Sequence, residues 1–401
     1  MIDAERRAKI LRRGLPKREL EGEPVLGCWY TQAEIAAAVR AMRDSLDWQV
    51  GFGFIVKEIT DFENAFARYC GAKRAVSVVT ASVGLDMAMR CLDLKPGDEV
   101  ICPAVNFKAS HLAALGAGAK LVLCEVDPRT FNADPADVEK RITRRTRALF
   151  PVHMNGLSAP MDDLIAVARR HSRGRRIPIR VIGDAARACG GGYRGGKIGK
   201  KAWMTVFSFH TMKLMSTLGE GGMITTDDVK LADRLCAIRQ WGHDREWGSS
   251  YKMTKVQAAV GLVQLRRLDA MLAKRVRLAR LRSKMLEGVP ELTLPLEPRG
   301  YRHTFYLYTL LVPPSWAGKK RDRVIEILKK KYRIGCIIAN PPVYQVSAYI
   351  RGKTKGQKLP LADELGGRIF CPSLHPLMTN EQNEYIAAAV IEAVTRVREG
   401  R

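Results

Sequence analysis

The feature that most constrains the fold is an alternation of short β-rich runs with helical patterns between Arg74 and Thr226. The runs predicted as strands are Ala75–Val79, Glu99–Pro103, Lys120–Val126, Ala148–His153, Arg180–Asp184, Met204–Phe209 and Gly222–Thr226. The helical patterns between them are Val83–Leu94, Ser110–Gly116, Pro135–Ile142 and Met161–His171. Runs without clean apolar–polar alternation are typical of strands buried on both faces. We therefore predict an α/β domain with a mostly parallel, seven-stranded sheet between helices.

The pattern changes after Thr226, where longer helices are predicted at Val229–Gln240 and from Thr254 to about Leu286. The later predicted elements are strand Tyr306–Val312, helix Arg321–Lys331, strand Ile334–Ile338 and helix Asn380–Arg398. This order is typical of a smaller C-terminal α+β domain joined by a long helix. The predicted division is a basic N-terminal arm (1–27), a large domain (28–253) and the connecting helix with the small domain (254–401).

Composition excludes a disordered chain, because 46% of the 401 residues are hydrophobic and 27% are charged. The 67 Lys and Arg residues exceed the 41 Asp and Glu residues, which gives a net charge of +26. A balance this basic indicates an anionic partner, which is a nucleic acid, a membrane surface or a phosphorylated substrate.

The nine cysteines are scattered, and no C-x-x-C spacing occurs among them. A zinc ribbon or a thioredoxin-type motif is therefore not expected, and no metal site is predicted. Residues 1–20 lack the apolar stretch of a signal peptide, and no run approaches the roughly 20 apolar residues of a membrane-spanning helix. These features predict a soluble protein of the reducing cytoplasm, without membrane association.

The most informative motif is the segment MTVFSFHTMKLMSTLGEGGMITT, which begins at Met204. It carries Ser208, His210 and Lys213 at and beyond the end of a buried strand. Limited solvent access lowers the pKa of a lysine, and its free amine then acts as a nucleophile that forms a Schiff base. The alternative is a structural lysine whose amine extends to the surface.

A second motif, VIGDAARACGGG, places Asp184 at the end of an apolar strand. Ligands of open α/β sheets bind at this edge. A carboxylate in this position needs a cationic partner. That partner is either Arg187, three residues further along the chain, or the protonated pyridine nitrogen of pyridoxal phosphate (PLP). An aspartate beside this nitrogen keeps it protonated, so the ring can withdraw electrons.

Two further motifs follow strands in the same way. In VSVVTASVGLDMAM, the small residues Ala81 and Ser82 begin a helix, where free backbone N–H groups favour a phosphate, although a serine N-cap is the plainer interpretation. In EVICPAVNFKAS, Phe107 is either a ring that stacks on a planar cofactor or a core residue. One cofactor would explain all four motifs.

The chain resembles the PLP-dependent sugar aminotransferases of the DegT/DnrJ/StrS type, which have the fold-type I aminotransferase architecture. The resemblance extends from about Trp29 to Val397. It is carried by the ordered motifs PGDEVICPAVNF, VDPRTFNADP, RTRALFPVHMNG, GDAARACGGGY, FSFHTMKLMSTLGEGGMITT, KMTKVQAAVGLVQL, LPLADEL and CPSLHPLMT.

The resemblance implies a role for each candidate residue. Lys213 would carry PLP covalently, Asp184 would pair with the pyridine nitrogen, and Phe107 would stack on the ring. Ser208, Ser82 and the backbone at Ala81 would hold the phosphate, and His210 would help to position substrate. Members of the family are homodimers with shared active sites, so Ser250 and Lys252 would approach the phosphate of the partner subunit's cofactor.

Several positions depart from the family pattern: Arg187 stands where Gln or His is usual, and Ser250 stands where Asn is common. Thr80-Ala81 replaces the usual Gly-containing turn, and Asn106 stands where Thr is common. Arg187 would add positive charge beside the cofactor, where it meets an anionic substrate group. Related sugar dehydratases have histidine in place of the lysine, so Lys213 favours transamination.

The resemblance thus implies a ping-pong aminotransferase that alternates between PLP and pyridoxamine phosphate. L-Glutamate or L-glutamine would donate the amino group, and a keto-sugar, most often linked to a nucleotide, would accept it in amino-sugar biosynthesis. A keto-cyclitol or a keto-sugar phosphate in antibiotic biosynthesis is the alternative acceptor. A basic nucleic-acid-binding protein is a remote alternative, because the basic clusters are dispersed and aromatic residues make up only 7% of the chain.

Overall fold

The computed structural model describes residues 2–401. The strands are β1 (Arg74–Val78), β2 (Glu99–Pro103), β3 (Lys120–Cys124), β4 (Thr146–Leu149), β5 (Arg180–Asp184), β6 (Gly192–Tyr193), β7 (Gly196–Lys197), β8 (Met204–Ser208), β9 (Gly222–Thr226), β10 (Tyr301–Arg302), β11 (Leu310–Leu311), β12 (Cys336–Ile337) and β13 (Ile369–Pro372). The helices are α1 (Ala4–Leu11), α2 (Gln32–Arg43), α3 (Lys57–Cys70), α4 (Ala81–Arg90), α5 (Ala109–Gly116), α6 (Pro135–Arg141), α7 (Met161–Ser172), α8 (Val229–Arg239), α9 (Lys255–Leu286), α10 (Lys319–Tyr332), α11 (Val343–Val346), α12 (Ala348–Lys353), α13 (Pro360–Arg368) and α14 (Asn380–Arg398). Short 3₁₀ helices cover Met154–Gly156, Trp241–Asp244 and Pro314–Trp316.

The main sheet has seven strands in the order β1-β9-β8-β5-β4-β2-β3. All seven were predicted from the sequence. Only β9 runs antiparallel to its neighbours β1 and β8, and the other pairs are parallel. Strands β2, β8 and β9 are buried along their whole length. The predicted mostly parallel sheet between helices is therefore confirmed.

The sheet brings the sequence motifs to one edge. Strands β1, β2, β5 and β8 point the same way, so the segments that follow them leave from the same side. These segments contain the four motifs that were predicted to bind a cofactor. Strand β9 returns antiparallel, which brings Gly222, its first residue, to this edge beside the start of α4.

The long helix α9 connects the two parts of the chain. Its N-terminus has a capping box, in which the Thr254 and Gln257 side chains each accept from the other's backbone N–H. The helix packs against α2 and α3 at one end and against α14 at the other. Beyond α9, strands β11, β13 and β12 form a small antiparallel sheet with its own apolar core, which includes α10 and α14.

The strands of the small sheet differ from the predictions. Only Leu310–Leu311 of the predicted strand 306–312 and Cys336–Ile337 of the predicted strand 334–338 pair as strands, and the central strand β13 was not predicted. The backbone before Leu310 does not pair as a strand, because Arg275 donates hydrogen bonds to the carbonyls of Phe305 and Tyr306. Those carbonyl groups are therefore satisfied without a partner strand.

The N-terminal segment packs on the rest of the chain. Helix α1 lies against α14, with ion pairs from Arg6 to Glu384 and from Arg7 to Glu392. A backbone bridge then joins Leu20 to Ile334. The division at residues 27 and 253 stays a proposal. Within residues 2–401, no helix combines the length and the apolar character needed to cross a membrane.

Candidate active site

A cavity of about 340 Å³ opens at the carboxyl edge of the sheet. Most of the residues singled out from the sequence lie around it. They are Ala81, Ser82, Phe107, Asp184, Arg187, Ser208, His210 and Lys213. Residues from separate segments of the chain therefore meet at one place, as the topology requires.

The start of α4 forms one wall of the cavity. The N-cap is Thr80, whose hydroxyl accepts a 3.2 Å hydrogen bond from the Val83 amide, so Ser82 is not the cap. The amides of Ala81 and Ser82 belong to the first turn, whose N–H groups have no partner within the helix. Gly222 packs closely against this turn, since an added Cβ would lie 2.8 Å from the Ala81 nitrogen. This wall is suited to bind an anion.

Asp184 ends β5 and is only 5% exposed. Its Oδ2 accepts a 2.5 Å hydrogen bond from Ser110, and its Oδ1 accepts a 3.0 Å bond from the Ala186 amide. Asn106 in turn donates to the Ser110 hydroxyl at 3.1 Å. Within residues 2–401, no cationic nitrogen lies within 4.0 Å of the carboxylate. The site therefore offers a buried, oriented carboxylate that has no positive partner in the chain.

Arg187 does not pair with Asp184, and that alternative from the sequence is wrong. The guanidinium instead donates hydrogen bonds of 3.1 Å to the side-chain oxygens of Asn155 and Asn340. Both asparagines have a left-handed backbone, with φ of 52° and 47°, a conformation that asparagine tolerates better than most residues. Arg187 is 7% exposed, forms no ion pair with a carboxylate of residues 2–401, and also lies 5.4 Å from the centre of the Tyr306 ring.

Lys213 follows β8 and faces the same cavity. Burial lowers the pKa of its amine to about 8, and the nearby charge of Arg187 acts in the same direction. The amine donates a 3.2 Å hydrogen bond to the hydroxyl of Tyr306. A larger fraction of this amine is therefore neutral near pH 7 than for an exposed lysine.

The remaining lining residues frame the opening. Phe107 is 54% exposed, so its ring borders the cavity and is not a core residue. Ser208 is buried at the end of β8, and its hydroxyl accepts a 3.3 Å hydrogen bond from the His210 amide. The His210 ring lies 3.8 Å from the Glu220 carboxylate.

Ser250 and Lys252 do not line the cavity of their own chain. The Lys252 amine donates a 2.9 Å hydrogen bond to the Ser250 hydroxyl and lies 3.7 Å from the centre of the Trp241 ring. Phe54 packs edge-on against the same tryptophan. The two predicted phosphate-binding residues thus lie beside exposed aromatic side chains.

Sequence reasoning missed six polar residues of the site: Glu23, Ser110, Asn155, Glu220, Tyr306 and Asn340. Ser110 lies within a quoted motif, and Asn155 stands in an Asn-Gly pair, where a left-handed backbone is expected. Neither signal indicates what the side chain contacts. Glu23, Tyr306 and Asn340 reach the site from distant parts of the chain, and nothing in their local sequence marks them.

A second, larger cavity of about 700 Å³ lies between α4, α5 and α8. Its charged side chains largely neutralise one another, because Arg234 pairs with both Asp93 and Glu246. None of the predicted site residues lines it. The candidate site residues therefore line the smaller cavity and not this one.

Comparison with known proteins identifies the family. The model of the DegT/DnrJ/EryC1/StrS aminotransferase family matches residues 30–391. The chain belongs to this family. The predictions of a PLP-dependent aminotransferase and of the fold-type I architecture are thereby confirmed.

Individual relatives support the assignment of this aminotransferase. GDP-perosamine synthase of Caulobacter vibrioides is 41% identical over 278 residues, which are 67% of this chain and 73% of that protein. The dTDP-3-amino-3,4,6-trideoxy-α-D-glucose transaminase of Streptomyces venezuelae is 32% identical, and the match covers 91% of this chain and 93% of that protein. Amino-sugar transaminases are therefore among its relatives.

Solved structures agree with the fold. S. venezuelae DesV, determined in complex with a ketimine intermediate, superposes with a TM-score of 0.82 at 32% identity, over 90% of this chain and 94% of that chain. An aminotransferase from Psychrobacter cryohalolentis gives a TM-score of 0.84 at 27% identity, over 92% and 98%. The large sheet and the small C-terminal domain are thus both shared with known aminotransferases.

Proposed function

We propose that the enzyme moves an amino group from L-glutamate or L-glutamine to a nucleotide-linked keto-sugar. The observation that carries the proposal is that Lys213 and Asp184, at the ends of the adjacent strands β8 and β5, face one cavity. A nucleophilic amine and a carboxylate without a cationic partner are the two groups that bound PLP requires. The lysine–aspartate pair expected from the sequence motifs is therefore supported by the geometry.

The chain's residues fit the cofactor. The unpartnered carboxylate of Asp184 suits a protonated pyridine nitrogen, which would replace the missing cation. The amides of Ala81 and Ser82 and the hydroxyl of Ser208 suit the phosphate. The bordering ring of Phe107 suits a planar heterocycle. When bound, PLP withdraws electrons from the carbon that carries the migrating amino group.

The chain itself supplies the steps around that chemistry. Lys213 attaches the cofactor and, once the donor's amino group displaces it, its free amine accepts the proton from the donor Cα and later returns a proton to the acceptor carbon. The hydrogen bonds from Ser110 and Ala186 hold Asp184 in place. His210 at the opening helps to position substrate. Arg187 supplies a positive charge for an anionic substrate group.

The acceptor class is supported by two observations. The relatives named above act in the formation of GDP-linked and dTDP-linked amino sugars, by their names. The cavity also contains the cation Arg187, which has no carboxylate of residues 2–401 within 4.0 Å. A keto-cyclitol or a keto-sugar phosphate stays as the alternative acceptor, since it would also fit a cavity of this size.

We also propose that the enzyme is a homodimer with shared active sites. Phe54 and Trp241 are exposed and lie beside the Lys252 amine. Trp48, six residues before Phe54 in the chain, is 87% exposed. Exposed aromatic groups of this extent are typical of protein interfaces. A second copy that covers them would bring Ser250 and Lys252 to the partner's phosphate site.

A cytoplasmic location is proposed on the state of the cysteines. All nine are free thiols, and seven of them are buried. This use of cysteine is typical of a reducing compartment. Fractionation of the source cells tests it, and recovery in a periplasmic or secreted fraction would contradict it.

The experiment that tests the reaction runs it in reverse. The enzyme loaded with PLP is mixed with 2-oxoglutarate and either GDP-perosamine or dTDP-3-amino-3,4,6-trideoxy-α-D-glucose, and formation of glutamate is measured. Glutamate formation with a nucleotide-linked amino sugar, absent in Lys213→Ala, is the expected result. Glutamate formation only with an amino-cyclitol or an amino-sugar phosphate would favour the alternative acceptor. No glutamate with any of them would exclude glutamate as the donor, and the absence of glutamine as well, when 2-oxoglutaramate replaces 2-oxoglutarate, would contradict the proposal.

A further inference from the structure

The segment 20–27, which we call the N-terminal strap, crosses the back of the active-site loop. At one end, Leu20 exchanges backbone hydrogen bonds with Arg333 and Gly335 of the small domain. At the other end, the Gly27 amide donates a 2.9 Å bond to the Thr211 carbonyl. Gly27 packs so closely that an added Cβ would collide with the Met212 carbonyl oxygen. The strap is therefore fixed at both of its ends, and at the Gly27 end it is fixed on the loop that carries Lys213.

The middle of the strap reaches the cavity through Glu23. This side chain lines the cavity and accepts a hydrogen bond from the hydroxyl of Tyr306. The same hydroxyl accepts the 3.2 Å hydrogen bond from the Lys213 amine. An ammonium group only donates and a carboxylate only accepts, so the order of donors is fixed from Lys213 through Tyr306 to Glu23.

The surroundings suit a chain of this kind. Tyr306 is buried, and burial raises the pKa of its hydroxyl, which therefore keeps its proton. Glu23 is only partly buried, so its carboxylate has access to water. The charged groups that face the Lys213 amine are Arg187, Glu23, Asp184 and Glu220. Of these, Glu23 is the one linked to the amine through a hydrogen-bonded hydroxyl.

We propose that Glu23 and Tyr306 are positioning residues that hold the free amine of Lys213 and exchange its proton with solvent. A proton passes from Nζ of Lys213 to the Tyr306 oxygen while the tyrosine's own proton passes to Glu23. Tyr306 is neutral before and after, Lys213 becomes a free amine, and Glu23 releases the proton to water; the reverse transfer restores all three groups. This inference rests on the proposed function, because it assumes that Lys213 is the proton-transferring amine.

The first test measures the Lys213 amine directly, in the full chain without cofactor. Limited acetylation with acetic anhydride across pH 6–10, read by peptide mass spectrometry, gives the apparent pKa of Lys213 in each variant. Glu23→Gln removes a negative charge that favours the ammonium form, so the pKa of Lys213 falls. A fall of half a unit gives about 3-fold more labelling near pH 7. The control Glu21→Gln, at an exposed neighbour on the strap, leaves labelling unchanged.

The second test measures turnover of the PLP-loaded enzyme. Glu23→Gln and Tyr306→Phe lower kcat by about 10-fold or more. This loss is smaller than the roughly 100-fold or greater loss that is usual when a direct proton-transfer group is removed. The KM for glutamate changes by no more than about 2-fold. Both variants show a larger solvent deuterium isotope effect on kcat. Glu23→Asp restores part of kcat. The control Tyr308→Phe, whose hydroxyl forms a 2.9 Å hydrogen bond with Ser283 outside the cavity, changes neither constant.

Two results distinguish the possible failures. If Glu23→Gln and Tyr306→Phe behave like their controls while Lys213→Ala loses covalent attachment of PLP, the hydrogen-bonded chain has no role and this inference is overturned. If Lys213→Ala keeps the attachment, the proposed function itself fails. Circular dichroism of each variant excludes unfolding. Should Tyr306→Phe unfold, Glu23→Gln on the partly exposed strap decides the question alone.

Discussion

The hydroxyl of Ser110, on the first turn of α5, donates a 2.5 Å hydrogen bond to the carboxylate of Asp184 at the end of β5. Two residues that are 74 positions apart in the chain thus meet, and the contact orients one buried anion. Because a buried anion without a cation in direct contact is costly, the arrangement favours the binding of a positive partner in the cavity. PLP protonated at its ring nitrogen would provide that partner.

Asp184→Asn is expected to slow amino transfer strongly while the fold is retained. The amide has nearly the same shape and still meets Ser110, but it has no charge to keep the ring nitrogen protonated. Loss of a charged interaction of about 1.5–3 kcal/mol lowers the rate by roughly 10- to 100-fold. Single-turnover absorbance with L-glutamate measures the rate. The matched control is Asp162→Asn at the surface, and an unchanged rate in Asp184→Asn would contradict the role assigned to the carboxylate.

Arg187→Gln is expected to raise the pKa of Lys213 from its value of about 8. The pKa rises because the Arg187 guanidinium disfavours a second positive charge nearby, so its removal favours the ammonium form of Lys213. A rise of one unit leaves about 10-fold less free amine at pH 7. Limited acetylation of Lys213 across pH gives the midpoint, with Arg144→Gln, at an exposed arginine, as the control. If the pH midpoint of Lys213 labelling in Arg187→Gln equals that of the wild type or is lower, Arg187 does not act on this amine.

Gly222→Ala is expected to weaken cofactor binding. The added methyl group would lie 2.8 Å from the Ala81 nitrogen and would displace the start of α4. Because the proposed phosphate site is made of that helix's first amides, the Kd for PLP rises by about 10-fold or more, the equivalent of about 1.4 kcal/mol. Fluorescence titration measures it. Gly116→Ala, where an added Cβ meets nothing within 4 Å, is the control, and equal affinities in the two variants would refute the assignment of this wall.

Trp48→Glu is expected to dissociate the proposed dimer. Truncation or charge at a central aromatic residue of an interface typically costs about 2 kcal/mol or more, which is about 30-fold in Kd. Sedimentation velocity over a range of concentrations measures the change, and activity falls with it because Ser250 and Lys252 act across the interface. Val346→Glu, at an exposed apolar residue of the small domain, is the control. A monomeric wild-type enzyme with full activity would contradict the shared site.

Much of the fold and of the site could be predicted from local sequence. The seven strands of the main sheet are β-rich runs without clean apolar–polar alternation, and parallel strands place the residues after them at one edge. Lys213, Asp184 and Phe107 were found in this way. The helix predicted at Val83–Leu94 begins earlier, at Ala81, because Thr80 is its N-cap.

The residues that sequence reasoning missed share a physical cause. Glu23 and Tyr306 are 283 residues apart, and their contact exists only because the strap and the small domain both pack on the Lys213 loop. The Asn155 and Asn340 amides likewise meet only on Arg187. Strand β13 was missed because it is a short run, Ile369–Pro372, whose pairing partners β11 and β12 are even shorter.

Lys213 is the residue on which the proposed reaction depends most, because it both attaches PLP and moves the proton in amino transfer. The most direct measurement is borohydride reduction of the PLP-loaded enzyme, followed by peptide mass spectrometry before and after L-glutamate is added. We predict a cofactor adduct on Lys213 that disappears when glutamate converts the cofactor to pyridoxamine phosphate. An adduct on another lysine, or one on Lys213 that neither L-glutamate nor L-glutamine removes, would contradict the proposed function.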